Sequence, residues 1–391
     1  MRILTFTTLY PSAARPTFGL FVENRLRHLV ASGEVETRVI APVPWFPFKG
    51  ARFGVYGAYA RTPAHEVRHG IEVEHPRFPV IPKLGMRLTP RSIAHFARPA
   101  IERLIRDGYD FDLIDAHYFY PDGVAAAHLG RMFNKPVVIT ARGTDLNVFP
   151  DYPAARRQIE WAANVADGLI TVNRALADKL QSLGADPDKI RVLSNGVDLD
   201  LFHPMDRKAA RAKIGAGEGT LLLSVGNLVP LKGHDITIRA LSLLEDASLM
   251  IAGRGPEEER LKALAAEIGV ADRVRFLGAV PQKDLPPFYA AADLLVLSSS
   301  REGMANVLLE SLGCGTPVVA SDIPGMGEVV GPPESGLLMK DRTPEALAEA
   351  VQALLANPPS REATRGYAET FSWDATTKGQ IELFRDVLNR A

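Results

Sequence analysis

Short apolar runs alternate with amphipathic segments along almost the whole chain. Residues 3–7 form a compact run, Ile-Leu-Thr-Phe-Thr, and 21–30 (FVENRLRHLV) repeat apolar positions three and four apart. The first pattern predicts a buried strand and the second an amphipathic helix packed on it. The same reading predicts strands at 39–41, 113–116, 136–140 and 169–172, with helices at 123–130 and 174–183. Asn195-Gly196 and Pro204 then punctuate the chain. Beyond them the alternation restarts. Strands are predicted at 220–225, 248–252, 273–277, 293–297 and 317–320, and helices at 234–244, 256–268, 284–291 and 306–312. Thr343-Pro344-Glu345 offers a cap, a proline at the first helical position and an early acid, so a further helix starts there. Residues 371–391 are helical in pattern, while 42–98, rich in Pro, Gly, Arg and aromatics, read as loops or a small insertion. Strand–helix alternation of this kind is that of parallel sheets with helices on both faces. Two open sheets in tandem put a ligand at the strand C-termini, in a cleft between the domains.

Length supports the division. A chain of 391 residues is enough for two domains with separate cores. The expected domains are 1–203 and 204–370, with 371–391 returning as a helix onto the first. Apolar residues make up 46% and charged residues 23%, ordinary for a soluble globular protein. The net charge of −1 gives no general attraction to nucleic acid, and none is expected as a partner. A single cysteine, Cys314, excludes an internal disulfide framework and a Cys-rich metal site. No run approaches 18 apolar residues, and Met1–Phe6 reads as a first strand rather than a signal segment. The expected location is the cytoplasm.

The charge is uneven, which adds a second possibility. Between Lys49 and Arg106 there are eleven Lys/Arg against four Glu, an excess of seven positive charges, and Trp45, Phe46, Phe48, Phe53, Tyr56 and Tyr59 accompany its start. One reading is a solvated insertion. The other is a surface, within residues 45–106, that meets anionic lipid or an anionic acceptor at the inner face of a membrane.

Among short motifs, His65-Glu66-Val67-Arg68-His69 matches the HExxH zinc pattern in letters. That chemistry needs a helix, to put both imidazoles on one face. Pro63 and Gly70 bracket the segment and Ile71–Glu74 alternates like a strand, so a turn before a strand is expected and no metal. Neither G-x-G-x-x-G nor G-x-x-x-x-G-K-[ST] follows a first strand, which argues against a dinucleotide enzyme or a P-loop nucleotidase.

The strand ends of the second half are more informative. Gly226-Asn227-Leu228-Val229-Pro230-Leu231-Lys232 follows the 220–225 strand, with a glycine for close backbone approach and a cation where a diphosphate could sit. Gly253-Arg254-Gly255 ends the next strand. After 293–297 come Glu302-Gly303-Met304-Ala305-Asn306 and then Glu310, two carboxylates framing a helix start. Carboxylates accept hydrogen bonds from sugar hydroxyls, and a helix N-terminus favours phosphate. In the first half, Gly19 lies between strand and helix, and His117 ends a strand as either a hydrogen-bonded buried histidine or part of an acceptor pocket. Thr140-Ala141-Arg142-Gly143-Thr144-Asp145 ends another, and there Asp145 caps a turn or serves as a carboxylate.

From about 190 to 330 the chain resembles family 4 glycosyltransferases of the GT-B fold. The likeness rests on E-G-x-x-N-V-x-x-E-x-x-x-C-G-T-P-V-V-A, preceded by N-G-V-D-x-x-x-F-x-P, G-x-L-x-P-x-K-G, A-G-x-G-P, F-x-G and A-A-D. The resemblance implies an α/β fold of two Rossmann-like, doubly wound parallel-sheet domains. It implies retaining transfer from a nucleotide-diphosphate sugar, with no metal or other cofactor. Glu310 would hold the ribose hydroxyls, Glu302 the donor sugar, and Lys232 the leaving diphosphate. Amides of Gly303, Met304, Ala305 and Asn306 would meet the sugar or diphosphate. The base would lie near 276–278 and Arg254, with Gly226 and Asn227 on the donor side, and Gly19 and His117 on the acceptor side. Three departures stand out. Asn227 replaces an arginine common in relatives, Met304-Ala305 replaces Phe-Gly, and Arg142 replaces the histidine of T-x-H-G-x-D. Arg142 is then expected to stabilise phosphate, with Asp145 as the remaining carboxylate. Arg-Gly-Thr-Asp and E-G-x-x-N-V resemble a subgroup that builds bacterial surface polysaccharides.

The reading is a hexosyl-type transferase acting on a glycan or lipid-linked acceptor. Its alternatives are a non-catalytic GT-B nucleotide-binding protein, a membrane-surface partner in a biosynthetic complex, and a nucleotide-sugar epimerase.

Overall fold

A computed structural model of the chain describes residues 1–80 and 85–390. The chain separates into two compact units, Met1–Asn195 with Trp373–Ala391, and Gly196–Ser372. Residues 196–203, assigned to the first domain by sequence, belong to the second. Val197 and Phe202 are buried in its core, where Phe202 packs edge-on against Tyr289 with ring centroids 5.9 Å apart.

The first unit is built on eight strands: β1 (Arg2–Phe6), β2 (Glu36–Ile40), β3 (His65–Arg68), β4 (Ile71–Glu74), β5 (Leu113–His117), β6 (Val137–Ala141), β7 (Gly168–Thr171) and β8 (Ile190–Val192). Their order in the sheet is β8-β7-β6-β5-β1-β2-β4-β3. Every pair is parallel except the edge hairpin β3–β4. The chain leaves β1 toward β2 and later returns to its other side with β5. The strand order therefore reverses between β1 and β5. Ile3, Leu4, Phe6, Ile114 and Ile139 are fully buried, as continuous apolar strands covered on both faces must be.

Helix Trp373–Arg390 closes this unit. Ile381, Leu383, Phe384 and Val387 join the core of Ile3, Val22 and Val138. Burial of such side chains contributes roughly 1.5–3 kcal/mol each. The fit is tight at two glycines. A Cβ on Gly379 would stand 2.6 Å from Leu193, and one on Gly168 would touch Leu383 and Val387 at 3.2 Å.

The second unit has six parallel strands: β9 (Thr220–Val225), β10 (Ala247–Ala252), β11 (Val274–Gly278), β12 (Leu294–Leu297), β13 (Val318–Ser321) and β14 (Gly336–Met339). Their order is β11-β10-β9-β12-β13-β14. Here the order reverses between β9 and β12, which pair directly. Helix Pro344–Ala356 starts at Thr343, whose hydroxyl accepts from the Ala346 amide at 3.2 Å.

Two segments differ from expectation. Residues 42–98 are not simply loops: they contain helix Gly54–Arg61, the β3–β4 hairpin and the first part of helix Gly85–Arg106. The long helix carries Pro90 and Pro99 inside it. Its buried stripe of Ile93, Ala94, Ala97, Ala100 and Ile101 offsets their cost, about 3 kcal/mol each in an isolated helix. Residues 81–84 of this stretch lie outside the described residues. His65–Arg68, expected as a turn, is itself the antiparallel edge strand, and the turn comes at His69 and Gly70, both at positive φ. Extended backbone cannot set two imidazoles one helical turn apart. His75 instead takes Glu66, with Nε2 2.8 Å from Oε1.

Candidate functional site

A charged cluster of the second unit lies at its switch point. The loop after β9 ends in a short 3-10 turn, Pro230–Lys232, and the loop after β12 carries Glu302. Because β9 and β12 are neighbours, these loops meet: Lys232 Nζ donates to Glu302 Oε1 at 2.6 Å. Ser299 Oγ donates to the same oxygen at 2.6 Å. Both charged side chains are largely sheltered, at 19% and 12% exposure. An ammonium has three N–H donors, so pairing with Glu302 leaves capacity for phosphate oxygens.

Backbone closeness explains the glycines. Strand ends of β9 and β10 approach so nearly that a Cβ on Gly253 would lie 1.8 Å from the Gly226 carbonyl. The stem of Lys232 lies back against Gly226, 3.4 Å from where a Cβ would be. Gly233 follows at φ 66°, where a side chain would collide with the Ser298 carbonyl at 2.2 Å. Arg342 fixes that carbonyl by donating from Nε at 2.8 Å.

Glu310 sits in helix Asn306–Gly313 and is buried. Tyr289 Oη and Gln282 Nε2 each donate to one of its oxygens, both at 2.7 Å. Burial raises its pKa, against the pull of these two donors. Each oxygen keeps a lone pair able to accept from a hydroxyl. Arg254 is exposed and lies over Gly278, its Nε 3.5 Å from a Cβ position there. Asn227 is exposed, Met304 half-buried, and Ala305 is part of the core. Cys314 is fully buried, and burial pushes its thiol up to about 12, so it fills space.

In the first unit the expected residues form a different object. Asp145 is fully buried and accepts from the backbone amides of Phe119 (2.6 Å), Gly143 (2.6 Å) and Arg142 (3.0 Å). Burial raises its pKa while those amides lower it. This geometry is the turn-capping role, and it occupies the carboxylate. Arg142 donates through Nη1 to Asn195 Oδ1 at 3.0 Å and through Nη2 to His117 Nδ1 at 2.7 Å, and lies over the Phe21 ring at 5.5 Å. His117 therefore accepts at Nδ1 and presents its Nε2 proton to Asp115 Oδ2, 3.2 Å away. Burial lowers its pKa, against the pull of Asp115. Gln380 of the C-terminal helix bridges the same Asp115 (3.0 Å) to Arg25 Nε (2.8 Å). His117, Arg142 and Asp145 thus bond largely within the first unit, while Arg142 Nε is left without a partner. Gly19 is also set by the chain itself: it caps helix Leu20–Ala31 at φ 75°, with a Cβ position 2.4 Å from the Leu9 carbonyl.

Sequence reasoning missed Ser299, Gln282 and Tyr289 on the two glutamates, and Arg25, Asp115 and Gln380 around His117. It also missed Asp122, at the switch point between β1 and β5. That buried carboxylate accepts from the Thr8 amide (2.5 Å) and from the Thr7 and Thr8 hydroxyls, while burial pushes it up to about 7. Ser299 and Asp115 stand within three residues of Glu302 and His117, but for the rest no local signal exists, because their partners are tens to hundreds of residues away.

Comparison with known proteins places these units. Residues 21–201 match the model described as Glycosyltransferase Family 4, and 206–371 that described as Glycosyl transferases group 1. A D-inositol 3-phosphate glycosyltransferase of Acidothermus cellulolyticus is 39% identical, over 71% of this chain and 68% of that one. Among solved structures, sucrose-phosphate synthase of Thermosynechococcus elongatus superposes with a TM-score of 0.81 at 20% identity, covering 100% of this chain and 99% of the other. HepE of Anabaena in complex with UDP gives 0.75 at 20% identity, over 99% and 100%. The chain therefore belongs to the family 4 glycosyltransferases and has their two Rossmann-like, GT-B domains.

Proposed function

We propose that the chain transfers a hexosyl group, with retention of configuration, from a nucleoside-diphosphate sugar to a glycan or lipid-linked acceptor in polysaccharide or glycoconjugate synthesis. The carrying observation is the Lys232–Glu302 pair at the switch point of the second sheet. Glu310 with Tyr289 and Gln282 takes the ribose hydroxyls, Arg254 borders the base, and Glu302 takes hydroxyls of the sugar. As the glycosidic bond breaks, the diphosphate oxygen gains negative charge. Lys232 shifts from Glu302 toward it, and amides at the start of helix Asn306–Gly313 share the charge. The positive charge is supplied by these groups, so the reaction calls for no metal ion. The UDP-bound Anabaena neighbour and the D-inositol 3-phosphate glycosyltransferases among the relatives support a nucleotide-sugar donor. The internal bonding of His117, Arg142 and Asp145 makes them a scaffold for the first unit's loops.

Proton NMR of the first-formed product, across a panel of nucleotide sugars in excess EDTA, tests this. The expected result is nucleoside diphosphate release from one donor, with the donor's anomeric configuration kept and the rate unchanged by EDTA. An inverted anomer sinks retention, a rate abolished by EDTA sinks metal independence, and no release from any donor sinks the activity.

The same reading puts the protein at the cytoplasmic face of a membrane. Trp45, Phe48 and Tyr56 are 59%, 55% and 52% exposed, Phe46 gathers Phe48, Phe53 and Tyr56 around it, and Arg52 lies over Phe53. Aromatic rings beside cations suit an anionic lipid interface. The chain is expected to pellet with anionic but not neutral vesicles. Release is expected as salt rises from about 0.1 M to about 1 M, where the Debye length falls from ~10 Å to ~3 Å. Equal pelleting with both vesicle types counts against the contact.

A further inference from the structure

The first unit holds a cavity of about 110 Å³ at the C-terminal ends of its strands. Thr8 and Tyr10 reach it from the loop after β1, Ala41 follows β2, His75 follows β4, and Pro121 follows β5. Open parallel sheets bind ligands at this end. Two groups in the wall stand out, one an unpaired hydroxyl and the other a cation without a carboxylate.

Tyr10 is 3% exposed, and its hydroxyl is buried with no hydrogen-bond partner. A buried hydroxyl left unpaired costs about 1–3 kcal/mol, so such groups usually have a reason. Arg15 is half-buried, with its guanidinium 3.5 Å from the centre of the Phe18 ring and 5.0 Å from that of Tyr59. Its side chain bonds that of Tyr59, and no carboxylate among the described residues is close enough to pair with it. The rings hold its plane in place, which prepares a guanidinium for an oxyanion. The other titratable wall groups are occupied: Tyr59 bonds Arg15, and His75 bonds the Ala41 carbonyl and Glu66, both within 2.9 Å. The loop itself is braced. Ser12 and Arg15 exchange two backbone hydrogen bonds, and Asp122 fixes Thr8.

We infer that this cavity binds an oxyanion of the acceptor, a carboxylate or a phosphate on a hydroxylated molecule, with Arg15 as the cation and the Tyr10 hydroxyl as the second donor. The inference rests on the glycosyltransferase reading above and adds the acceptor's charge to it.

Calorimetry on the full chain tests it, with inorganic phosphate and glucuronate as probes, and with a nucleoside diphosphate titrated separately. At least one anion is expected to bind the wild type, and to bind Arg15→Gln and Tyr10→Phe about tenfold more weakly or worse. Both variants are expected to keep nucleoside diphosphate affinity within about twofold, and an unchanged thermal unfolding profile reports that the first unit folds. The anion that binds identifies a phosphate or a carboxylate source. Unchanged anion affinity in both variants, no binding of either anion at millimolar concentration, or loss of anion binding only in Lys232→Ala overturns the inference. If Arg15-dependent anion binding persists in a protein that cleaves no nucleotide sugar, the transferase reading fails and the anion site stands.

Discussion

Lys232→Ala is expected to lower kcat by about 10²–10³-fold at saturating donor, the cost of removing one preorganised charge donor from a developing anion. The side chain is 19% exposed and its Nζ lies 2.6 Å from Glu302, so its position is set before any ligand arrives. Water cannot replace it fully, because a sheltered site offers little solvent to screen the leaving diphosphate. The effect should fall on kcat more than on donor binding, since the charge it meets grows only as the bond breaks. Lys232→Arg keeps the charge but replaces a compact ammonium by a planar fork, and should recover only part of the rate. Single-turnover kinetics separates chemistry from product release. A loss smaller than about tenfold in that measurement removes Lys232 from the leaving-group role.

Glu310→Ala has the next largest expected effect, on binding rather than turnover. Hydrogen bonds to a charged group are worth about 1.5–3 kcal/mol each, so losing the ribose contacts should raise the nucleoside diphosphate Kd by roughly 10- to 150-fold. The same substitution orphans the Tyr289 hydroxyl and the Gln282 amide, each now bonded at 2.7 Å. Tyr289 is fully buried, so a fall in thermal stability should accompany the loss of binding. Glu302→Ala provides the contrast. It should leave nucleoside diphosphate affinity within a few-fold and cut transfer, because Glu302 is assigned to the sugar and to Lys232. Calorimetry paired with a transfer assay reads both arms. If the two variants bind and turn over like the wild type, these carboxylates do not form the donor site.

The two halves of the chain differ in how openly their chemistry was written. In the second unit, glycines, Lys232 and the glutamates lie within short segments directly after apolar strands. There the local pattern names both the residue and its place, because the sheet carries every strand end to one edge. In the first unit, Thr140–Asp145 looked equally motif-like. Asp145 proved to cap backbone amides, and Arg142 to be tied to His117 and Asn195. A carboxylate that caps its own loop and one that stands at a strand end beside a lysine have the same letters.

Sequence alone determined the two alternating α/β halves, the strand-end loops of the second half and the residue types that stand on them. Hydrophobic period and turn chemistry are local properties, and they suffice for these. Tertiary structure decided the rest: that Lys232 meets Glu302 across 70 residues, that Tyr289 and Gln282 hold Glu310, that Gln380 joins Arg25 to Asp115, and that Arg15 meets Tyr59 and no carboxylate among the described residues. Such pairings depend on which strands become neighbours and on how deeply a side chain is buried. Both are set by the packing of distant segments, which no local pattern of residues encodes.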